Sequence, residues 1–404
     1  MKSSSLVLIV SLCASLASAH TLSLNQIAER VREHNPQLKA ARVTIAEARA
    51  RQLSAGKLSN PSLVTDWRTQ SKLNPAEATI AFEQSFPLTN RLRLEKQVAT
   101  HEVAAAQLEV DEAERQTIAE ARELAVMLIG YRNQHRLREQ QSRTARELAT
   151  FSKNRAEAGE MSALDASQLE LDAGRLDLEV RMIDSQIETQ KGKLRSLLGI
   201  APEGNLEMSG DFPAIRIPPA ASHLERPDLK LSEKRAEIAE TQHLLAQKRR
   251  WDDIGVGITG GPESQSAAGS GRQTTGFIGL RLSLPLPFWN RNQGQIAETA
   301  ATMERVKLET EALTREIKTE AASIRATMQK QAALVAELRE KLLPLASSRA
   351  EAFQQAFESG QAELAGVLRA RDQHFQIQSA LLDAERDFHL SQIRYESVIG
   401  AQLP

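Results

Sequence analysis

Histidine and cysteine are the residues best suited to metal binding and nucleophilic chemistry, and their spacing in this chain favours neither. No two of the histidines after position 20 are four residues apart: they are His34, His101, His135, His223, His243, His374 and His389. The single cysteine, Cys13, lies in an N-terminal apolar segment. The sequence also lacks a Gly-rich phosphate loop, a nucleophile elbow and a carboxylate pair at a cleft. We therefore predict no metal site, no cofactor and no enzymatic activity.

The most distinctive polar motif is GEMSALD at residues 159–165, which interrupts a long helical pattern. A tight turn after a helix favours glycine, because glycine adopts a positive φ without strain. Gly159 thus has a structural reason to be present, whereas Ser162 and Asp165 could either cap the next helix or contact a partner. A second glycine turn lies at Gly360.

The first 19 residues have the parts of a secretory signal: Lys2, an apolar run from Leu6 to Leu16, and the cleavage motif Ala17-Ser18-Ala19. The run is too short to cross a hydrocarbon core of ~30 Å as a helix, so we predict export and no membrane anchor. Without the signal the chain has 50 basic residues (51 less Lys2) against 52 acidic ones. That balance offers no basic surface for nucleic acid.

The rest of the chain is a tandem duplication. The first repeat, residues 20–199, is predicted to hold strands at 61–70 and 79–88 and helices at 91–149 and 162–198. A linker at 200–222, which contains four prolines, separates it from the second repeat. That repeat, residues 223–404, is predicted to hold strands at 251–260 and 275–286 and helices at 294–350 and 362–400. The turns at Gly159 and Gly199 recur at Gly360 and Gly400 with one offset of 201 residues.

Apolar residues in these helices repeat with a 4-3 spacing, which is typical of coiled-coil-like packing. In the first repeat the seam is Leu169, Ala173, Leu176, Val180, Ile183, Ile187, Gln190, Leu194 and Leu197. Shifted by 201 residues it predicts a seam from Ala370 to Val398. A third seam is Ile317, Ala321, Ile324, Met328, Gln331, Val335, Leu338, Leu342 and Leu345.

The predicted strands alternate between an apolar and a polar face. In the last of them Ile278, Leu280, Leu282 and Leu284 alternate with Gly279, Arg281 and Ser283. The polar face, which also includes Gly255 and Gly257, is small enough to border a lumen. All three tryptophans lie in or beside the strands, as in the aromatic girdles of membrane barrels. Four strands cannot close, so we expect closure by further copies, and a trimer of twelve strands leaves room for a lumen.

These features resemble the TolC-like outer-membrane efflux channels over nearly the whole chain, from Leu24 to Gly400. FEQSFPL at 82–88 and PLPFWNRNQGQI from Pro285 are most similar to the heavy-metal branch. The resemblance implies a mainly α fold: a periplasmic α-barrel of duplicated helix hairpins on a trimeric twelve-stranded β-barrel in outer-membrane lipid. It also implies a periplasmic adaptor (a membrane fusion protein) and an inner-membrane pump. Many members of that branch are lipid-anchored, but Leu12 before Cys13 is not the small residue that acylation needs.

In that family the helix-turn-helix tips meet the adaptor through a glycine followed six residues later by an aspartate. Gly159 and Asp165 fit this pattern, with Ser162 between them, whereas Gly360 is followed by Gly366. The resemblance further implies an acidic ring at the closed aperture, for which Glu351 and Glu358 are candidates. A solvated helix face is the ordinary interpretation of such charges.

Two other functions remain open at this stage. One is an exit duct for type I protein secretion, which the sequence barely distinguishes from an efflux duct. The other is a secreted structural coiled-coil protein, which would explain the helices and leave the alternating strands without a role.

Overall fold

The computed structural model describes residues 20–70, 74–220, 225–267, 270–359 and 361–400. The predicted signal, including Cys13, lies outside these ranges. The helices are α1 (Ile27–His34), α2 (Pro36–Ser54), α3 (Arg91–Glu157), α4 (Ala163–Leu197), α5 (Pro227–Lys248), α6 (Gln293–Glu337), α7 (Leu343–Glu358) and α8 (Leu364–Ile399). The strands are β1 (His20–Leu22), β2 (Ser62–Gln70), β3 (Asn74–Phe86), β4 (Leu206–Met208), β5 (Ile254–Ala267) and β6 (Ser270–Ser283).

The described chain forms two compact units. The first unit comprises the described parts of Met1–Lys39, Ala113–Leu224 and Lys318–Pro404. The second comprises those of Ala40–Glu112 and Glu225–Ile317. Each unit takes equivalent parts of both repeats, as expected of a duplicated chain.

The second unit holds one antiparallel sheet with the order β2-β3-β5-β6. Its register places Leu63 opposite Phe82, Phe82 opposite Ile258, and Ile258 opposite Leu280. Residues directly opposite one another share a face, so the apolar residues of all four strands lie together. This confirms the predicted alternation. Strands β3, β5 and β6 are longer than predicted, because residues at the ends of the hairpins also pair.

The largest apolar core among the described residues of the first unit surrounds helix α1. Ile27 and Val31 of α1 pack there with Ile129 of α3 and Leu194 of α4, all fully buried. Asn35 ends α1 inside this core and is only 1% exposed. Its Nδ2 donates to the Leu197 carbonyl at 2.8 Å, and its Oδ1 accepts from the Leu38 amide at 2.9 Å. The buried amide is therefore satisfied at both ends of its side chain.

The predicted linker contains a strand and serves as a strap across the first unit. Strand β4 pairs in parallel with β1. At the end of β4, Arg132 donates to the Met208 carbonyl at 2.6 Å. Further along, the Tyr395 hydroxyl donates to the Pro219 carbonyl at 3.1 Å. The linker thus joins the N-terminal strand to helices α3 and α8.

One ring of the strap stacks on a buried histidine. Phe212 lies 5.0 Å from His389, centroid to centroid, at an interplanar angle of 23°. Desolvation lowers the pKa of His389 below its usual range, although hydrogen bonds to Gln392 and Pro213 act against the shift. Nε2 of the ring has no partner among the described residues.

Two of the three predicted seams are buried or half-buried at all nine positions, those of α4 and α8. The third fails at its end, where Leu342 and Leu345 are 38% and 64% exposed and Ala346 is buried instead. A π-helical segment at Leu338–Leu342 precedes this change. A π turn adds one residue, which shifts the seam by one position. Pro344 favours this widening, because proline lacks an amide and clashes with the carbonyl four residues earlier.

Candidate partner-binding tips

The first tip connects α3 to α4 through a glycine-dependent turn. The Glu160 amide donates to the Arg155 carbonyl at 2.9 Å, and the Gly159 amide donates to the Ala156 carbonyl at 3.1 Å. These two bonds form a Schellman motif, and Gly159 supplies its left-handed residue with φ of 78°. A Cβ at Gly159 would have nothing within 4 Å. The glycine is therefore needed for its backbone conformation and not for a close contact.

Ser162 and Asp165 have different roles in the local structure. Ser162 is the N-cap of α4, and its Oγ accepts from the Leu164 amide at 3.2 Å. Asp165 lies in the first turn of the helix, where a carboxylate interacts favourably with the helix dipole. The Asp165 carboxylate is exposed and bonds to no other residue that the structure describes. Capping thus explains the serine and leaves the charge of Asp165 available to a partner.

An apolar side chain lies between these two polar residues. Leu164 is 78% exposed, although it belongs to the first turn of a helix. The sequence analysis did not single it out. The sequence feature that could have identified it is a large apolar residue at the start of the helix that does not belong to the 4-3 seam. On the α3 side of the turn the Arg155 guanidinium lies 5.1 Å from the Phe151 ring centroid. The first tip therefore presents apolar surface together with charge.

The second tip, between α7 and α8, differs in chemistry. Gly360 lies outside the described residues. Glu363 occupies the N-cap of α8 without a side-chain cap bond. A Cβ at Gly366 would lie 3.0 Å from the Phe353 ring. The position that matches Asp165 is thus a glycine with an aromatic ring packed close to it.

The two predicted aperture residues lie on α7. Glu351 is exposed, and its Oε1 accepts a hydrogen bond of 3.2 Å from the Ser347 hydroxyl. The side chain of Glu358 is outside the described set. Within this chain Glu351 has the setting of an ordinary solvated helix face, so a ring at an aperture would require further copies.

A groove of about 360 Å³, lined by both charged and apolar residues, lies between the first hairpin and α8. Its charged lining comes from arginines on all three helices, with Asp172 and Asp372. Arg138 reaches Glu179 at 3.4 Å, and Arg371 donates to the Gln354 side chain at 2.7 Å. Each of these contacts stays within one hairpin, so these charged residues line the groove without bridging it.

The sheet of the second unit exposes apolar side chains to an unusual degree. Ile278, Leu280 and Leu282 are 89%, 85% and 70% exposed. Trp67 on β2 shares this face and is 78% exposed. A continuous apolar face of this size marks a surface that is covered in the functional state. Among the described residues no helix is long and apolar enough to span a membrane. No cluster of metal-binding side chains occurs within the same ranges.

Comparison with known proteins identifies the fold. The outer-membrane channel OprN aligns over 94% of this chain and 90% of its own, with 16% identity and a TM-score of 0.77. The outer membrane protein VceC from Vibrio cholerae gives 94% and 97% coverage, 20% identity and a TM-score of 0.77. CusC gives 94% and 92% coverage, 16% identity and a TM-score of 0.76. No curated protein matches the chain.

The long helix hairpins and the four strands therefore define the fold of an outer-membrane channel. The profile of the family "Outer membrane efflux protein" matches residues 220–401. The second repeat is therefore similar to that family. The structures that match the chain are those of outer-membrane channels and of an outer membrane protein. Its relatives are channel proteins and not enzymes.

Proposed function

We propose that the chain is the outer-membrane channel of a tripartite efflux system and a passive exit duct for heavy-metal cations. Three copies would form a twelve-stranded barrel on a periplasmic α-barrel. The observation that carries the proposal is the sheet of the second unit, which has a largely exposed apolar face and, among the described residues, two edge strands that pair on one side only, β2 and β6. Lipid would cover the face, and neighbouring copies would pair the edges, because an open edge is not tolerated in lipid.

Heavy-metal cations are proposed as the substrate from two likenesses. The residues from Pro285 onward and those at 82–88 resemble the heavy-metal branch, and CusC is among the structural matches. An inner-membrane pump of the resistance-nodulation-division type would supply the driving force. A strain that lacks the chain should accumulate more Zn²⁺, Co²⁺, Cd²⁺ or Cu⁺ than its parent, measured as metal content per cell. Unchanged content of all four metals would contradict the substrate.

The tips are proposed as the adaptor site, through Gly159, Ser162, Asp165 and Gly360. Support comes from the first tip, where the exposed Leu164 and the unpaired Asp165 carboxylate are adjacent. An exposed leucine beside an available charge has the composition of an interface anchor with a polar neighbour. Glu351 and Glu358 are proposed as the acidic ring at the closed aperture.

The adaptor site is tested by separating charge from capping. Asp165→Ala and Asp165→Asn should leave the trimer yield unchanged, because the loss at an exposed first-turn carboxylate is ~0.3–1 kcal/mol. Both should weaken adaptor cross-linking and metal export. Glu170→Ala, which removes an exposed carboxylate five residues further along α4, is the matched control. Ser162→Ala should cost about 1 kcal/mol in stability through loss of the cap. Normal export in both Asp165 variants would refute contact through this residue.

A further inference from the structure

The polar face of the sheet contains an ion pair that crosses a strand. The register places Glu83 of β3 opposite Gly257 of β5, and Gly257 opposite Arg281 of β6. Nη1 of Arg281 donates to Oε1 of Glu83 at 2.6 Å. Neighbouring strands are ~4.8 Å apart, so the pair connects two strands that do not touch each other. The bridge passes directly over β5.

Gly257 makes this bridge possible. A Cβ at this position would lie 2.9 Å from Cγ of Glu83 and 3.0 Å from the Phe82 carbonyl oxygen. Any side chain here would therefore occupy the space in which Glu83 leans toward Arg281. The next residues of the same face, Gly255 and Gly279, are also glycines. The two long side chains of the pair thus lie beside glycines on this part of the polar face.

The pair lies opposite the apolar face, since Leu280 and Leu282 on either side of Arg281 point the other way. Under the proposed function, on which this inference rests, the polar face lines the lumen of the barrel. Threefold symmetry then repeats the pair three times at one height. Six charges meet there and cancel in pairs.

We propose that Glu83 and Arg281 determine the ionic selectivity of the barrel by neutralising each other. Ionic cargo of either sign crosses a neutral ring without being held or repelled by fixed charge. Either residue alone would leave three like charges around a narrow lumen, and low-dielectric walls focus such a field. The pairing, and not the presence of either charge, is the selective feature.

The test measures the local potential with a cysteine beside the pair. The chain has no cysteine after Cys13, so Ser283→Cys introduces a single thiol on the polar face two residues from Arg281. The reaction rates of this thiol with a singly charged cationic and a singly charged anionic methanethiosulfonate reagent are measured on assembled channels. Leu282→Cys, on the apolar face, is the matched control.

Arg281→Gln should raise the cationic-to-anionic rate ratio at Ser283→Cys about sevenfold at low salt. The factor follows from one unit charge at ~7 Å in water, which changes the local concentration of each reagent about 2.7-fold in opposite senses. Glu83→Gln should lower the ratio by a similar factor, and the double variant should restore it. A purely structural pair would lower the trimer yield without opposite shifts.

Ratios that stay within twofold in both single variants would overturn the inference. Failure of the proposed function has a different signature, in which Leu282→Cys reacts with the charged reagents as fast as Ser283→Cys. In that case the polar face would not be the lumen, whatever the effect of the charges.

Discussion

Two glycines with the same backbone conformation should differ sharply in their tolerance of alanine. Gly159 and Gly199 both follow a helix, with φ of 78° and 63°. Both complete a Schellman motif; at Gly199 the closing bond runs from the Ile200 amide to the Arg195 carbonyl at 2.9 Å. Alanine in this conformation costs about 1–2 kcal/mol at either site. The difference arises from what each added methyl group would meet.

At Gly159 the methyl group enters open space, whereas at Gly199 it would lie 2.4 Å from the His34 carbonyl oxygen. A Cβ contact shorter than 3.0 Å is essentially never observed, so one backbone must move by at least 0.6 Å (3.0 less 2.4). Both neighbours resist this movement, because Leu198 and Asn35 are 0% and 1% exposed. Overpacking of this kind costs ~1–3 kcal/mol more.

Gly159→Ala should therefore cost about 1–2 kcal/mol, and Gly199→Ala about 2–5 kcal/mol once the overpacking cost is added. The assay is thermal unfolding of the detergent-purified channel, followed by its helical circular dichroism. The melting temperature should fall at least twice as far for Gly199→Ala, or this variant should fail to accumulate while Gly159→Ala accumulates normally. Equal decreases would refute the argument from close approach.

Three further predictions concern the sheet, the core and the strap. Leu282→Arg should cost about 2–4 kcal/mol, the value for a charge on the lipid side at the bilayer midplane, whereas Ser283→Arg should be tolerated. The amount of heat-resistant trimer on gels measures both effects, and equal losses would contradict the face assignment. Asn35→Ala removes two buried hydrogen bonds and should cost ~2–3 kcal/mol in denaturant unfolding. Gln37→Ala, at an exposed site two residues away, should change stability by less than ~0.5 kcal/mol. Because folding lowers the pKa of His389, the unfolded chain binds its proton first, so stability should fall as the pH drops below 6.5 toward the folded-state pKa. His389→Gln should flatten that dependence in melting experiments between pH 7.5 and 5, and an unchanged slope would assign the acid sensitivity elsewhere.

The faces of the strands were predictable because a side-chain period of two requires no tertiary information. The helix seams were predictable for the same reason, up to the π segment. There Pro344 was a visible signal of an irregular turn, but nothing in the sequence shows whether a helix ends, kinks or widens at a proline. The prediction that Leu342 and Leu345 lie on the seam was wrong because it assumed an unbroken period.

Contacts between distant segments could not be predicted. The pairing of β1 with β4 involves three residues on each side, too few to show a period. The Glu83–Arg281 pair is separated by 198 residues and depends on the register of three strands. In both cases the residues are ordinary in sequence, and only the placement of the backbone gives them a common role.

The two tips also depend on contacts that the sequence alone does not show, and their difference constrains how a partner can bind. The repeats share one offset of 201 residues, which maps Asp165 onto Gly366. The first site is exposed and charged, while at the second a Cβ would lie 3.0 Å from the Phe353 ring. Aspartate at the second tip would require that ring to shift by a few tenths of an ångström. In the proposed trimer the carboxylate is therefore presented three times and not six. An adaptor that binds through this charge must distinguish the two hairpins and match the channel with threefold symmetry.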